Sequence, residues 1–572
     1  MKHVNIMLLA GIVMIGIIQW VQTDDIIPRK RFYIALRPNQ KGLKWIRHQV
    51  LDHISNPQSP YYGRFLSSET INHLVRPPEH TIKRVTDWID QYTPGIKYVV
   101  AGDTIHCEGD IFTLNRMLKT DIDSKDHYLG SKTDYKIPYE LTDIIDFIDG
   151  ITLTPQHRSF KSKPKRDTVS SGFVTREVYQ RVYNMTESGF VYHPETSVGV
   201  MEYQGHSGFS QNDMRKAQQM SNVPPHNVSK DHIVGYDGSP DGESQLDMAV
   251  IWWGNGNATL WYEDYNGWMF GWASDFLNRK IYPEVVSLSW GWNEKDQCSI
   301  SNCFNMTSQV YVQRTNDEFM KLAAKGITIV VSSGDAGSPG RTNESCDRDS
   351  AINPVFPGSS EWVTSVGATY VVESSKTHNW KTPLCHTVPC ANGTQEEMTT
   401  YRKTGWTSGS GWAWWTQTPK WQSQEVYSYL NSGVYLPKTK INNTIRWNPA
   451  GRGYPDVSAF GHACTVHDTG NWEMEDGTSC SAPIFAGLIA YLNDHQRTKG
   501  KSRLGFINPL IYRMYRQDKT TFNDITVGNS ACTEFTCCDK DHGFVPAKGW
   551  DVVSGLGTPN IGNIISWLDR NT

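Results

Sequence analysis

Ser479 stands in the run Glu475-Asp-Gly-Thr-Ser479-Cys-Ser-Ala-Pro483, directly ahead of the apolar stretch Ile484-Phe-Ala-Gly-Leu-Ile-Ala490. The small residues and Gly477 predict a tight turn, and the apolar stretch predicts a buried helix. Pro483 then falls in the first helical turn, where a missing N–H costs little. A serine at a helix start meets unpaired backbone N–H groups and the positive end of the helix dipole, which favour negative charge developing beside it. The same residues would also make an ordinary N-cap, so a catalytic reading needs a base. The nearest histidine in a Gly-rich turn is in Gly205-His206-Ser207-Gly208, and no Asp-[Ser/Thr]-Gly motif precedes it. What precedes Ser479 instead is Asp241-Gly-Glu243-Ser-Gln-Leu-Asp247-Met-Ala-Val-Ile-Trp252. Leu246, Val250 and Ile251 predict a helix, and the four-residue spacing puts Glu243 and Asp247 on one face of it. Two carboxyl groups that close resist ionising together, so one keeps its proton. The plain alternative is a solvated acidic helix end.

Two further groups carry candidate chemistry. Val330-Val-Ser-Ser-Gly-Asp335-Ala-Gly337 follows a β-branched run, so Asp335 projects from the carboxyl end of a buried strand, the edge at which ligand sites of parallel sheets lie. Near the C-terminus, Asn523-Asp524-Ile525-Thr526 and Ala547-Lys-Gly549-Trp550-Asp551 supply two carboxylates and backbone carbonyls on Gly-rich loops. That hard-oxygen set suits Ca²⁺.

Together these runs resemble the sedolisins, or serine-carboxyl peptidases. Gly477-Thr-Ser479-x-Ser481-x-Pro483 resembles the nucleophile motif of subtilisin-like folds, Glu243-x-x-x-Asp247 the sedolisin acid pair, and Ser333-Gly-Asp335-x-Gly337 the sedolisin oxyanion motif. The resemblance implies that Ser479 is the nucleophile, Glu243 its base, Asp247 the residue that orients and tunes Glu243, and Asp335 a protonated donor to the oxyanion. A histidine base (~6.5) is already protonated in acid, whereas a glutamate at its ordinary value (~4.3) still accepts a proton there. The resemblance also implies one Ca²⁺ held by the side chains of Asp524 and Asp551 and the backbone oxygens of Ile525, Ala547 and Gly549. Ser55-Asn-Pro-Gln-Ser-Pro-Tyr-Tyr62-Gly63-Arg-Phe65-Leu66 resembles the family's activation-domain motif, and Gly451-Arg-Gly-Tyr-Pro455-Asp456-Val457 and Phe356-Pro-Gly-Ser-Ser360 match elsewhere. The lysosomal tripeptidyl peptidase branch looks nearest, which implies release of tripeptides from free N-termini. Endopeptidase activity and an inactive secreted homologue acting as a binding protein are the other readings. Two positions depart from the pattern. Asp476 replaces the usual Ser, adding a carboxylate three residues before Ser479. The substrate-loop motif appears as Ser408-Gly-Ser-Gly-Trp412, with Ser410 and Trp412 bulkier than usual.

These residues need elements to hold them. Val198–Met201, Val285–Leu288 and Ile327–Val331 are short β-branched runs with helical stretches between them, the alternation of a parallel sheet covered by helices on both faces. Ahead of them, helical periods at Leu43–Ile54 and Thr81–Tyr92 and strand-like runs at Arg31–Leu36 and Tyr98–Ala101 form a separate block. The expected fold class is α/β: a subtilisin-like parallel sheet with helices on both faces, preceded by an α+β activation propeptide domain. The expected division is a signal peptide at 1–22, the propeptide at 23–160, a basic processing linker at 161–171 containing Lys163-x-Lys165-Arg166, and the peptidase domain at 172–572. The first segment has basic Lys2 and an apolar run to Val21, but lacks a clean small-x-small cleavage site, so an uncleaved membrane anchor is its alternative.

The bulk properties set the class of partner. A net charge of −4 over 572 residues gives no basic excess for nucleic acid. The partners expected are peptide or unfolded protein substrates and the chain's own propeptide as an intramolecular inhibitor. Seven Asn-x-Ser/Thr sequons, all beyond residue 180, and 11 cysteines point to the secretory pathway, lysosomal or extracellular. Cys298/Cys303, Cys385/Cys390 and Cys532 with Cys537/Cys538 are the expected disulfides. An odd count leaves a thiol over, with Cys107 and Cys480 as the candidates.

Overall fold

The computed structural model describes residues 29–572 apart from 123–133, 152–171, 187–192, 204, 206, 236–237, 302, 304–305, 344–345, 347–350 and 375–376. The expected signal segment and basic linker, with His206 and the sequon at Asn305, lie outside the described residues.

The first unit is a four-stranded antiparallel sheet of order β2-β3-β1-β4, formed by β1 (Arg29–Leu36), β2 (Ile96–Ala101), β3 (Thr104–Asp110) and β4 (Ile145–Asp149). Alternation along β1 explains how it is used. Phe32, Ile34 and Leu36 enter a core of their own with Ile82, Val85, Ile105 and Leu114, whereas Tyr33 and Ala35 belong to the large core of the second unit. α1 (Gln40–His48) and α2 (Ser68–Val75) add Leu43, Ile46, Ile71 and Val75 to that second core. The sheet is therefore buried on both faces, and the second face is the interface between the units.

The second unit is built on an eight-stranded sheet. Its continuous path includes β5 (Ser197–Glu202), β6 (Ile233–Gly235), β7 (Thr259–Asp264), β8 (Val285–Leu288), β9 (Thr328–Ser332) and β10 (Thr364–Val372), in the order β10-β9-β8-β5-β7-β6. These six are parallel; β11 (Gln395–Met398) pairs antiparallel on β10, and β12 (Val457–Phe460) pairs parallel with it. β5, β8 and β9 are buried along their full length, which is why they read as unbroken apolar runs without alternation. Helices α3 (Gly242–Val250), α4 (Met269–Leu277), α5 (Ser308–Lys325) and α6 (Thr478–Thr498) cover the sheet. Among the described residues no helix is long and apolar enough to cross a membrane.

The units meet on α4 and α5. Asp103 accepts from Lys321 Nζ at 2.6 Å and from Arg314 at 3.2 Å, and Arg314 also pairs with Asp146 at 3.0 Å. Asp149 accepts from the Gly271 amide at 2.7 Å and from Ser301 Oγ. Asp103 and Lys321 are almost fully buried, so removing one charge strands its partners in an apolar interface. The Asp103→Asn proenzyme is expected to lose about 2–4 kcal/mol at this junction, read as a lower urea midpoint than the parent proenzyme; an unchanged midpoint would mean the pair is idle.

Five disulfides form: Cys298–Cys303, Cys385–Cys390, Cys532–Cys537, Cys346–Cys538 and Cys464–Cys480. Cys107 is the free thiol, buried on β3, and burial pushes its thiol pKa far up. Of the two candidates for the spare thiol it is Cys107 that is free, and Cys480 is paired, because the turn before Ser479 folds back on the strand that carries Cys464.

Candidate active site

Every candidate catalytic side chain comes from the carboxyl edge of the parallel sheet or from a helix start above it. α3 begins at Gly242, with the Asp241 side chain accepting from the Glu243 amide. This helix is buried all round, so Glu243 and Asp247 are 9% and 0% exposed; its acidic face is not solvated. The Ser479 side chain lies beside Glu243 and favours its ionised form. Asp247 Oδ2 accepts from Ser289 Oγ at 2.6 Å. Ser289 immediately follows β8.

Across the nucleophile turn, Asp335 lies three residues past β9. Its Oδ1 accepts from both the amide and the hydroxyl of Thr478, each at 2.8 Å. The Thr478 hydroxyl in turn receives the Gly334 amide at 3.1 Å. Oδ2 is left facing Gly477, where an added Cβ would stand 3.6 Å from it. Gly477 has φ 142, a conformation that favours glycine. Ser479 is thus flanked by Glu243 on one side and Asp335 on the other, at the start of α6.

Three residues of the constellation were not singled out in the sequence. Glu202 ends β5 and accepts from Trp290 Nε1 at 2.6 Å; Trp290 follows Ser289. Glu202 is buried; Glu243 acts on it, and it in turn helps raise Asp247. Glu202, Ser289 and Trp290 are the last residue or the first residues after two strands read from sequence, and strand ends in a parallel sheet are where such groups gather.

The electrostatics change one expectation. Glu243 does not keep an ordinary carboxylate value: burial, with Asp335 and Asp241 adding like charge, pushes it up to about 8 despite Ser479 beside it. Burial first, and neighbouring carboxylates second, hold Asp247 and Glu202 well above the carboxylate range. The three carboxyls share one buried cluster, so they resist ionising together. The shift trades population for strength, because a carboxylate ionised in so dry a place is a far stronger base towards a hydroxyl. Asp335 is also raised, by burial above all, with Asp476 adding to it against the Thr478 hydrogen bonds and Arg341.

The substrate loop differs from expectation. Gly409 donates to the Gly334 carbonyl at 2.6 Å, which lays the loop beside Asp335. Ser410 and Trp412, however, are fully buried. Trp412 packs its ring on Trp447, Trp550 and Tyr429, and Ser410 Oγ meets Ser338 Oγ at 3.0 Å. Their extra bulk is spent in the core, not in the cleft.

The candidate calcium residues also converge. Asp524 Oδ2 accepts from the Gly549 amide at 3.0 Å, Asp551 Oδ2 from the Ala547 amide at 3.0 Å, and the Ser554 hydroxyl stands 3.2 Å from the Ile525 carbonyl and 3.1 Å from Asp551. Neither carboxylate forms an ion pair among the described residues, and no group of three or more His, Cys, Asp or Glu gathers there. Carbonyl oxygens would have to complete the set, as a hard cation allows. Ala547 is outside the positive-φ region, so its methyl is tolerated where Gly549, at φ 90, needs glycine.

Comparison with known proteins adds the following. Residues 19–154 match the Pro-kumamolisin activation domain, and residues 256–503 match the Subtilase family. Physarolisin of Physarum polycephalum is 33% identical over 564 residues, covering 96% of each chain. Human (Homo sapiens) tripeptidyl-peptidase 1 is 27% identical over 588 residues, 96% of this chain and 93% of its own. The structure of Pseudomonas sedolisin, a serine-carboxyl proteinase complexed with two molecules of pseudo-iodotyrostatin, superposes with a TM-score of 0.51 at 21% identity, over 70% of this chain and all of that one; this likeness bears on the fold.

Proposed function

Because the chain belongs to the sedolisin family of serine peptidases, with an activation domain ahead of its peptidase unit, we propose that it is made as a proenzyme and hydrolyses peptide bonds in acid through Ser479, Glu243, Asp247 and Asp335. The observation that carries this reading is the grip of Asp335 Oδ1 on Thr478, which leaves its Oδ2 edge at the turn that presents Ser479, with buried Glu243 beside that serine. Ser479 Oγ attacks the scissile carbonyl and its proton passes to Glu243. Asp247, held by Ser289, and Glu202, held by Trp290, keep their own protons and so leave the working charge on Glu243. Protonated Asp335 donates from Oδ2 to the oxyanion of the tetrahedral intermediate. Glu243 then returns the proton to the leaving amine, and water repeats the cycle on the acyl-enzyme.

Acid serves two steps: maturation of the proenzyme and the protonation of Asp335. The relatedness to tripeptidyl-peptidase 1 supports release of tripeptides from free N-termini. The test is digestion at about pH 4 of one peptide with its N-terminus free and the same peptide acetylated, with products identified by mass. Tripeptides from the free peptide alone support the reading; cleavage of the blocked peptide assigns an endopeptidase; no cleavage of either defeats the assignment of activity. Five disulfides support residence in the secretory pathway, lysosomal or extracellular.

One Ca²⁺ would be held by Asp524 and Asp551 with the carbonyls of Ile525, Ala547 and Gly549. It would supply structural charge neutralisation, joining two C-terminal loops. Chelation with EGTA is expected to lower the melting temperature by roughly 3 °C, as loss of about 2–3 kcal/mol of linked binding would in a unit of this size. The Asp551→Asn variant should not respond to added Ca²⁺; a parent protein whose melting ignores both reagents would remove the ion from this site.

A further inference from the structure

Asp476 is the departure from the family's pattern that lies closest to the nucleophile, and the fold gives it a specific setting. β13 (Cys464–Asp468) and β14 (Asn471–Glu475) form a hairpin that leads into the nucleophile turn. The loop ahead of it, Gly461-His462-Ala463, is pressed onto that turn. The Gly477 amide donates to the Gly461 carbonyl at 2.9 Å. There is no room for a side chain at Gly461, whose Cβ would stand 2.5 Å from that of Ala368 and 2.7 Å from Ser481 Oγ. Asp476 Oδ1 accepts from the Ala463 amide at 2.8 Å and lies 2.8 Å from His462 Nδ1. Ala463 has φ 59, an uncommon conformation for a residue with a side chain; the Asp476 bond holds its amide there. The Cys464–Cys480 disulfide closes the same clamp one residue further on.

We propose that Asp476 is a positioning residue for the reaction: the clamp fixes its carboxylate on the turn just before Gly477 and Thr478, the two residues that meet Asp335, and from there its negative charge helps keep Asp335 a hydrogen-bond donor. The inference rests on the reading of Asp335 as the oxyanion donor. The groups facing Asp335 are few. Glu243 faces it from α3, Arg341 from the loop beyond β9, Asp476 and Thr478 from the nucleophile turn. His462, with Tyr370 edge-on to its ring, faces Asp476 from the side away from the cleft. An anion near Asp335 disfavours its ionised form, so the proton leaves at higher pH.

The test is the alkaline limb of kcat/KM against pH, measured on the acid-matured enzyme with a fluorogenic peptide. Asp476→Asn keeps an acceptor for the Ala463 amide and removes the charge. Its limb is expected to move to lower pH by roughly half a unit, the size of one unit charge several ångströms away in a partly hydrated site. Asp476→Ser, the family's usual residue, should move the same way and serves if the Asn variant fails to mature. His462→Asn keeps a donor near Asp476 and leaves the Asp476 carboxylate in place; its limb should stay. A limb unmoved in both Asp476 variants overturns the proposal, as does a shift of all variants in one direction, which would mark a purely structural clamp. Asp335→Ala separates the two levels of argument. If it leaves kcat/KM intact, the oxyanion reading fails; if it abolishes activity while the Asp476 variants keep the parental limb, only the present inference fails.

Discussion

Changing Ser479 to alanine is expected to lower kcat by about 10⁵–10⁶, with a small residue of catalysis left to the oxyanion site and binding. The same variant, brought to about pH 4, should stay at its full 64.8 kDa, before any glycan, while the parent chain loses its first unit. The size of the effect follows from the geometry. Ser479 places its side chain beside Glu243 at the start of α6, and alanine fits the space without disturbing the helix. Because the change is isosteric within an atom, the variant should melt within about 1 kcal/mol of the parent. Electrophoresis after acid treatment reads maturation, and a peptide assay after maturation by an added protease reads turnover. A Ser479→Ala chain that matures alone at the parental rate would transfer the nucleophile's role elsewhere.

Asp335→Ala is expected to lose about 10²–10³ in kcat, the usual consequence of removing one oxyanion donor. The pH dependence makes the role more specific. Burial raises the Asp335 pKa, with Asp476 assisting, so the donor form persists above the ordinary carboxylate range. It is present below that raised value and lost as pH rises through it, which places Asp335 on the alkaline limb of the profile. Glu243 must be ionised to accept the Ser479 proton, and with its pKa pushed up to about 8 turnover in acid draws on a small ionised fraction that shrinks further as pH falls. Asp335→Asn should therefore separate the limbs. An amide donates at every pH, so this variant is expected to keep substantial activity and to lose the part of the alkaline limb that belongs to Asp335. If Asp335→Asn keeps the parental limb, the titrating group lies elsewhere, and Glu202 and Asp247 are the groups to change next.

The sequence carried much of this because the chemistry was written locally. The four-residue spacing of Glu243 and Asp247 becomes one face of α3, and the Gly-rich approach to Ser479 becomes the turn before α6. The apolar runs at Val198, Val285 and Ile327 become β5, β8 and β9 within a residue of their expected ends. Cysteines five residues apart close into the short disulfides they suggested. Helical periods and strand-like runs in the first block become its own helices and sheet.

What the sequence left open involves distance along the chain or exclusion of water. Cys346 and Cys538 are 192 residues apart and meet only because two loops fold onto the same edge. Cys480 looked like a spare thiol until the β13–β14 hairpin brought Cys464 to it. Trp412 looked like a substrate contact because its motif lies in the substrate loop, yet an aromatic cluster drawn from distant segments takes it into the core. Glu202 and Trp290 join the site from different strands, and no spacing links them. Residue types and short-range periodicity alone determined the kind of chemistry and the elements that present it. The tertiary structure decided how far the site's carboxyls are held above their ordinary values, because a pKa is set by burial and by neighbours that the chain supplies from far away.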